Sequence, residues 1–204
     1  MRLLVLLTLL PLPALAQTDP DLRTELLDRK VADAAILARA QEAGSLTDEI
    51  RAYRDSVYTA NAAWLAPLLD GAWPGFSRVG EDGSAAAFVI VQHADHDPDL
   101  QRRALALLKA AVAAGEASGE HLALLTDRVR LADGRRQLYG TQLDYDDRGC
   151  PTPKPVEDPD GLATRRAAAG LAPIDDYLRT VAETLGRGDR CAASARPEGP
   201  SDDG

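Results

Sequence analysis

The chain is poor in several residue types, and each shortage excludes something. Its 204 residues include two cysteines, three histidines and one methionine, and aromatics make up 4%. No Cys-x-x-Cys pair occurs, so neither a thioredoxin-like centre nor a cysteine zinc site is indicated. Lysine stands only at Lys30, Lys109 and Lys154, and the other basic residues are arginines. Basic residues number 23 against 32 acidic ones, a net charge of −9. That balance lacks the overall footprint of a nucleic-acid binder. There is no His-Glu-x-x-His, no Gly-x-Ser-x-Gly, no P-loop and no dinucleotide-binding glycine pattern. The familiar hydrolase and nucleotide-enzyme classes are therefore not indicated, and neither a metal nor a cofactor is expected.

Alanine, by contrast, is abundant, with 36 copies. It has the highest helix propensity, so the composition leans towards helix. Met1-Arg2 is followed by an apolar run, Leu3 to Leu12, and then by Pro13-Ala14-Leu15-Ala16. A positive start, a short apolar stretch and an Ala-x-Ala end describe a secretory signal peptide over residues 1–16. The run is too short for a spanning helix. The expectation is a chain cleaved after Ala16 and then periplasmic or secreted, with no stable membrane insertion. An oxidising compartment would permit Cys150 and Cys191 to pair, closing a loop about 41 residues long. Two unpaired thiols are the alternative, which geometry decides.

The apolar periodicity predicts a mainly α, compact multi-helix domain over residues 17–186, and the polar residues 187–204 read as a disordered tail. The first helix spans about 20–43, with Leu27, Val31, Ala34, Ala35 and Ala38 on its apolar face. A second, capped by Ser45, covers about 46–69, its stripe interrupted by Asn61. Residues 71–83, with four glycines, read as a loop anchored by Trp73 and Phe76. A very apolar third helix covers about 84–95. Asp97-Pro98 caps and opens a fourth, and Ser118 opens a fifth that ends near Leu131. Residues 136–143 lack a helical period and read as one short extended element. Two further helices open at Asp158-Pro159 and at Pro173.

The richest chemistry lies in Gln92-His93-Ala94-Asp95-His96-Asp97. His93 and His96 are three apart, and imidazole beside carboxylate suits acid–base work or a metal. Asp97 has a capping task and His96 reads as exposed. Polar groups at the end of a buried helix need partners, and a cluster of this kind is either a structural network or the floor of a pocket. Gln137, Tyr139 and Thr141 would share one face of the extended element, with Gln142 on the other. Asp127-Arg128 and Arg165-Arg166 are further charged candidates, each also readable as a solvated face or a salt bridge.

Taken together, Gln92-His93-Ala94-Asp95, Asp127-Arg128, Gly134, Gln137, Tyr139-Gly140-Thr141-Gln142, Arg165-Arg166 and Gly170-Leu171 resemble a bacterial domain-of-unknown-function family. The resemblance runs over about residues 74–180. It implies a domain type and no reaction, and it assigns nothing to His96 or to the cysteines.

Three functions stay open on the residues alone. One is a binding or interaction module whose site, drawn from Gln92, His93, Asp95, Asp127, Arg128, Gln137, Tyr139, Thr141 and Gln142, takes a small polar ligand or a protein partner. Another is a hydrolytic enzyme. There His93 acts as general base, Asp95 orients it or helps bind a metal, and Tyr139 or Arg128 stabilises negative charge. The third is a structural envelope protein without a discrete site.

Overall fold

The order along the described residues is five long helices, a small hairpin, and three shorter helices. The structure, a computed structural model, describes residues 18–192. The signal-peptide reading of residues 1–16 lies outside the described residues. Helix α1 runs Pro20–Glu42, α2 Asp48–Leu65, α3 Phe76–Gln92, α4 Pro98–Ala113 and α5 Gly119–Ala132. Strands β1 (Leu143–Tyr145) and β2 (Pro151–Pro153) follow, then α6 (Leu162–Ala168), α7 (Ile174–Thr184) and α8 (Gly188–Ala192). No helix among the described residues is long and apolar enough to cross a membrane.

Side-chain caps explain three of the helix starts among the described residues. Asp19 precedes Pro20 and accepts from the Leu22 N–H, and Asp97 precedes Pro98 and accepts from the Leu100 N–H. In both, a carboxylate takes a donor that the first turn leaves free, and proline occupies a position needing no N–H. Helix α2 is capped by Thr47 rather than Ser45. It tightens into a 3-10 turn over Ala66–Asp70.

Residues 71–83 are not all loop, because α3 begins at Phe76. Its first donors are met from afar. The Glu116 carbonyl accepts from Phe76 N–H, and the Glu116 carboxylate accepts from Ser77 N–H at 2.8 Å. Gly80, at φ 76 and ψ 168, then breaks the helix between its first turn and its long buried run. That region is open essentially to glycine alone. The run beyond it carries Ala86, Ala87, Phe88, Ile90 and Val91, all buried, against Leu26, Leu65, Leu100, Leu108 and Leu125 from the flanking helices. Trp73 does anchor onto this core, donating from Nε1 to Ser84 Oγ at 2.8 Å.

Helix α1 turns a different face inward from the one its apolar spacing predicts. Val31 is 68% exposed, and Ala34 and Ala38 face solvent. The inward line is Leu22, Leu26, Arg29, Asp33 and Ile36. Polar partners on α2 and at the end of α3 hold Arg29 and Asp33, so polar pairing outweighs the burial of Val31, Ala34 and Ala38.

The extended element also shifts. β1 pairs antiparallel with β2, Leu143 opposite Pro153 and Tyr145 opposite Pro151. Within 136–142 only Gln137 forms a bridge, with Val156, and the rest curls around Asp127. Cys150, in the hairpin, is joined by a disulfide to Cys191 on α8, with Cα atoms 5.6 Å apart. The tail expected from residue 187 therefore begins with one more helical turn. It is held by the disulfide and by Arg187, which donates to the Gly149 carbonyl at 2.7 Å.

Candidate functional site

Helix α3 ends at Gln92, and His93 is its C-cap at φ −90, ψ 1. Carbonyls at a helix end lack intrahelical partners. Buried Gln101 on α4 meets them: its Nε2 donates to the Val91 carbonyl at 3.1 Å and lies 3.4 Å from that of Gln92. The same nitrogen lies 3.1 Å from Asp95 Oδ1. The chain therefore leaves the helix with His93, Asp95 and His96 turned towards α2 and α5.

His93 does not pair with Asp95. Its Nδ1 lies 2.6 Å from Asp33 Oδ2, across to α1. A carboxylate accepts only, so the proton belongs on Nδ1 and the basic lone pair on Nε2. The Gln92 amide, 3.5 Å from Nε2, is a donor and agrees with that tautomer. Tyr58 of α2 stacks on the imidazole with centroids 4.7 Å apart. Burial, and then the nearby Asp33 charge, raises the Tyr58 phenol above its ordinary range, so it stays a neutral hydroxyl. This is the second-residue orientation that a histidine base needs.

Asp95 is paired with Arg128 of α5, whose Nη1 donates to both carboxylate oxygens at 2.7 and 2.8 Å. Arg128 Nε is buried without a partner. These groups, with Arg54, Asp55 and Thr59 of α2 and with His96, line a cavity of about 690 Å³. A second cavity, of about 510 Å³, lies beside the disulfide and is lined by groups such as Pro151, Leu178 and Ala182.

The remaining candidates form a different structure. Asp127, fully buried on α5, accepts from the N–H groups of Leu138, Tyr139 and Thr141 and from the Thr141 hydroxyl, at 2.6 to 3.1 Å. Buried Gln137 accepts from Gln142 N–H and donates to the carbonyls of Gln142 and Lys154. Arg165 donates to the Leu138 carbonyl and Arg166 to those of Tyr139 and Ala172. Burial lowers the Arg166 guanidinium from its ordinary value, and Tyr177 lies beneath it with its centroid 5.1 Å away. Gly140, at φ 68, makes the turn, and an added Cβ would stand 3.2 Å from Ile174 Cδ1. Backbone groups of 137–142 thus find partners on buried side chains.

The sequence-derived residues therefore separate. His93, Asp95 and Arg128 meet at the cavity, with Gln92 against His93. Asp127, Gln137, Thr141 and Gln142 are tied into the loop clamp, where Tyr139 contributes its backbone. Arg165 and Arg166 both belong to that clamp; Arg166 is buried, and Arg165 also pairs with Asp158, the salt-bridge alternative of the sequence reading. Asp33, Arg54, Asp55, Tyr58 and Thr59 were missed, and His96 is exposed, as its place beside the cap implies, while also lining the cavity. Asp33 carries one signal, a carboxylate on the true inward line of α1, but that line emerges only when the face is known.

A family model described as a family of unknown function (DUF6624) matches residues 20–188. Neither the curated proteins nor the solved structures gave a match. The family match extends well beyond residues 74–180, taking in α1 and α2 and with them Asp33 and Tyr58. The chain is thus a member of the family of unknown function DUF6624 over nearly all of its described length.

Proposed function

We propose that this is a binding domain whose site is the cavity at the end of α3, and that its ligand is a small polar molecule. The observation that carries the reading is the convergence of side chains from four places: Asp33 on α1, Tyr58 on α2, His93 and Asp95 after α3, and Arg128 on α5. Donors and acceptors are both present among the lining side chains, and polar groups so placed fix the orientation of a polar ligand. The test is a screen of small polar molecules by thermal shift and by the His93 ring signals in NMR. Binding that His93→Ala removes, with the melting temperature held within a few degrees, supports the site. Loss of the fold in that variant, with no binder to wild type, supports a structural role.

A second reading is favoured by one observation, the Asp33–His93 hydrogen bond. It leaves Nε2 as an oriented base, suited to taking a proton from water or a hydroxyl in a hydrolytic reaction. Turnover of p-nitrophenyl acetate or p-nitrophenyl phosphate, lost in both His93→Gln and Asp33→Asn, is the result this reading expects.

We further propose that the domain works outside the cytoplasm. The pattern of residues 1–16 supports export, and the Cys150–Cys191 pairing is compatible with an oxidising compartment. Mass spectrometry of exported material should find an N-terminus at Gln17.

A further inference from the structure

The class of ligand can be argued from how the two arginines at the cavity are held, an inference that rests on reading that cavity as a binding site. Arg128 meets Asp95 through Nη1 alone, while its Nε has no partner. Arg54 meets its sequence neighbour Asp55 on a single oxygen, at 2.8 and 2.9 Å. The carboxylate side chains are 66% and 65% exposed. Ion pairs with a well-hydrated partner hold weakly. Asp95 is easier still to release, because Gln101 Nε2 has two hydrogens and three acceptors within 3.4 Å. When Asp95 leaves, each hydrogen keeps a backbone carbonyl. Nothing buried is orphaned by the exchange.

We propose that the cavity takes its ligand by an oxyanion group, carboxylate or phosphate, which replaces Asp95 on Arg128 and is met from α2 by Arg54. A guanidinium fits both groups by shape and charge. The neutral hydroxyls of Tyr58 and Thr59 supply further donors on the α2 side. Asp95 acts as a resident surrogate that keeps Arg128 aimed into the cavity. A cation or a neutral polyol would have no reason to separate either pair.

The full chain is titrated with acetate, inorganic phosphate, glucose and methylammonium while the Arg128 Nε–H and His93 ring signals are followed by NMR. Acetate or phosphate should move both signals, and the tighter of the two separates a carboxylate ligand from a phosphate one. Asp95→Asn, which removes the competing charge, should tighten anion binding at least threefold, and Arg128→Gln should weaken it at least tenfold. Should Asp95→Asn not fold, Asp55→Asn tests the same competition at Arg54. Anion affinity that is unchanged or weaker in these Asp variants overturns the proposal. Response to glucose or methylammonium without response to the anions also overturns it and leaves the binding reading standing. Silence to every probe, in wild type and variants alike, removes both.

Discussion

The carboxylate of Asp33 and the imidazole of His93, 60 residues apart in sequence, share a 2.6 Å hydrogen bond. Asp33 sits on the first helix and His93 just past the third. Their contact ties α1 to the end of α3 and fixes which imidazole nitrogen faces away from it.

Asp33→Asn should release that choice. Its amide can accept or donate, so both His93 tautomers become available. The His93 ring 15N signals should change from a single Nδ1-protonated form to a mixture. Stability should fall by about 1–2 kcal/mol for a charged hydrogen bond weakened but not left empty. An unchanged tautomer would show that Asp33 does not orient the ring.

Asp127→Asn should be costlier, although it removes no atom of the cavity. One of its oxygens becomes an NH₂ that faces donors already aimed at it. A loss of about 3 kcal/mol is expected when buried donors lose their acceptor, measured by urea unfolding. Amide exchange should accelerate at Leu138, Tyr139 and Thr141, while the His93 ring signals stay in place.

Replacing both Cys150 and Cys191 by alanine opens a loop of 41 residues. The chain-entropy relation puts the cost at about 4 kcal/mol. The loss should appear in the melting temperature, and α8 should exchange its amides faster than α7. The cavity at His93 lies elsewhere, so ligand binding there should survive.

His121 stacks on Phe88 with centroids 4.2 Å apart. Burial, and then the Lys30 charge, pushes its imidazole below the ordinary value of 6.5. Above 6.5 the ring is neutral in both states and contributes no pH dependence. As pH falls through 6.5 the unfolded chain takes up a proton that the folded chain refuses, so stability drops until the folded value is reached. His121→Phe, which preserves the stack, should flatten this part of the profile below about pH 7. Urea midpoints across that range are the measurement.

Much of the helical framework was legible because it is written locally. Asp97-Pro98 announces a helix start by its own chemistry, whereas Asp158-Pro159 does not, since α6 begins at Leu162 after Gly161. The beginning of α3 was not legible, since its cap is Glu116, brought in by the α4–α5 turn. The inward face of α1 differs from the expected one because apolar spacing favours Val31, whereas the fold half-buries Arg29 and Asp33 against partners that no local window contains. The same reasoning divides the site. His93, Asp95 and Arg128 stood out as polar groups in or beside apolar helices, but the partner of His93 was assigned to its near neighbour. Asp127 and Gln137 stood out for the same reason, and distance along the chain gives no means of telling a clamp from a cavity wall.

Alanine-rich helices present surfaces that repeat at every turn, so one alignment against a neighbour resembles the next. The pairs Asp33–His93 and Arg29–Asn61 do not repeat, and Asn61 is the single asparagine in the chain. Sliding α1 by one turn, about 5.4 Å, would carry Asp33 and Arg29 away from both partners and leave the buried Asn61 carbonyl without its donor. The polar contacts between α1, α2 and α3 thus act as an indexing device, setting the register of helices whose small side chains would otherwise tolerate several.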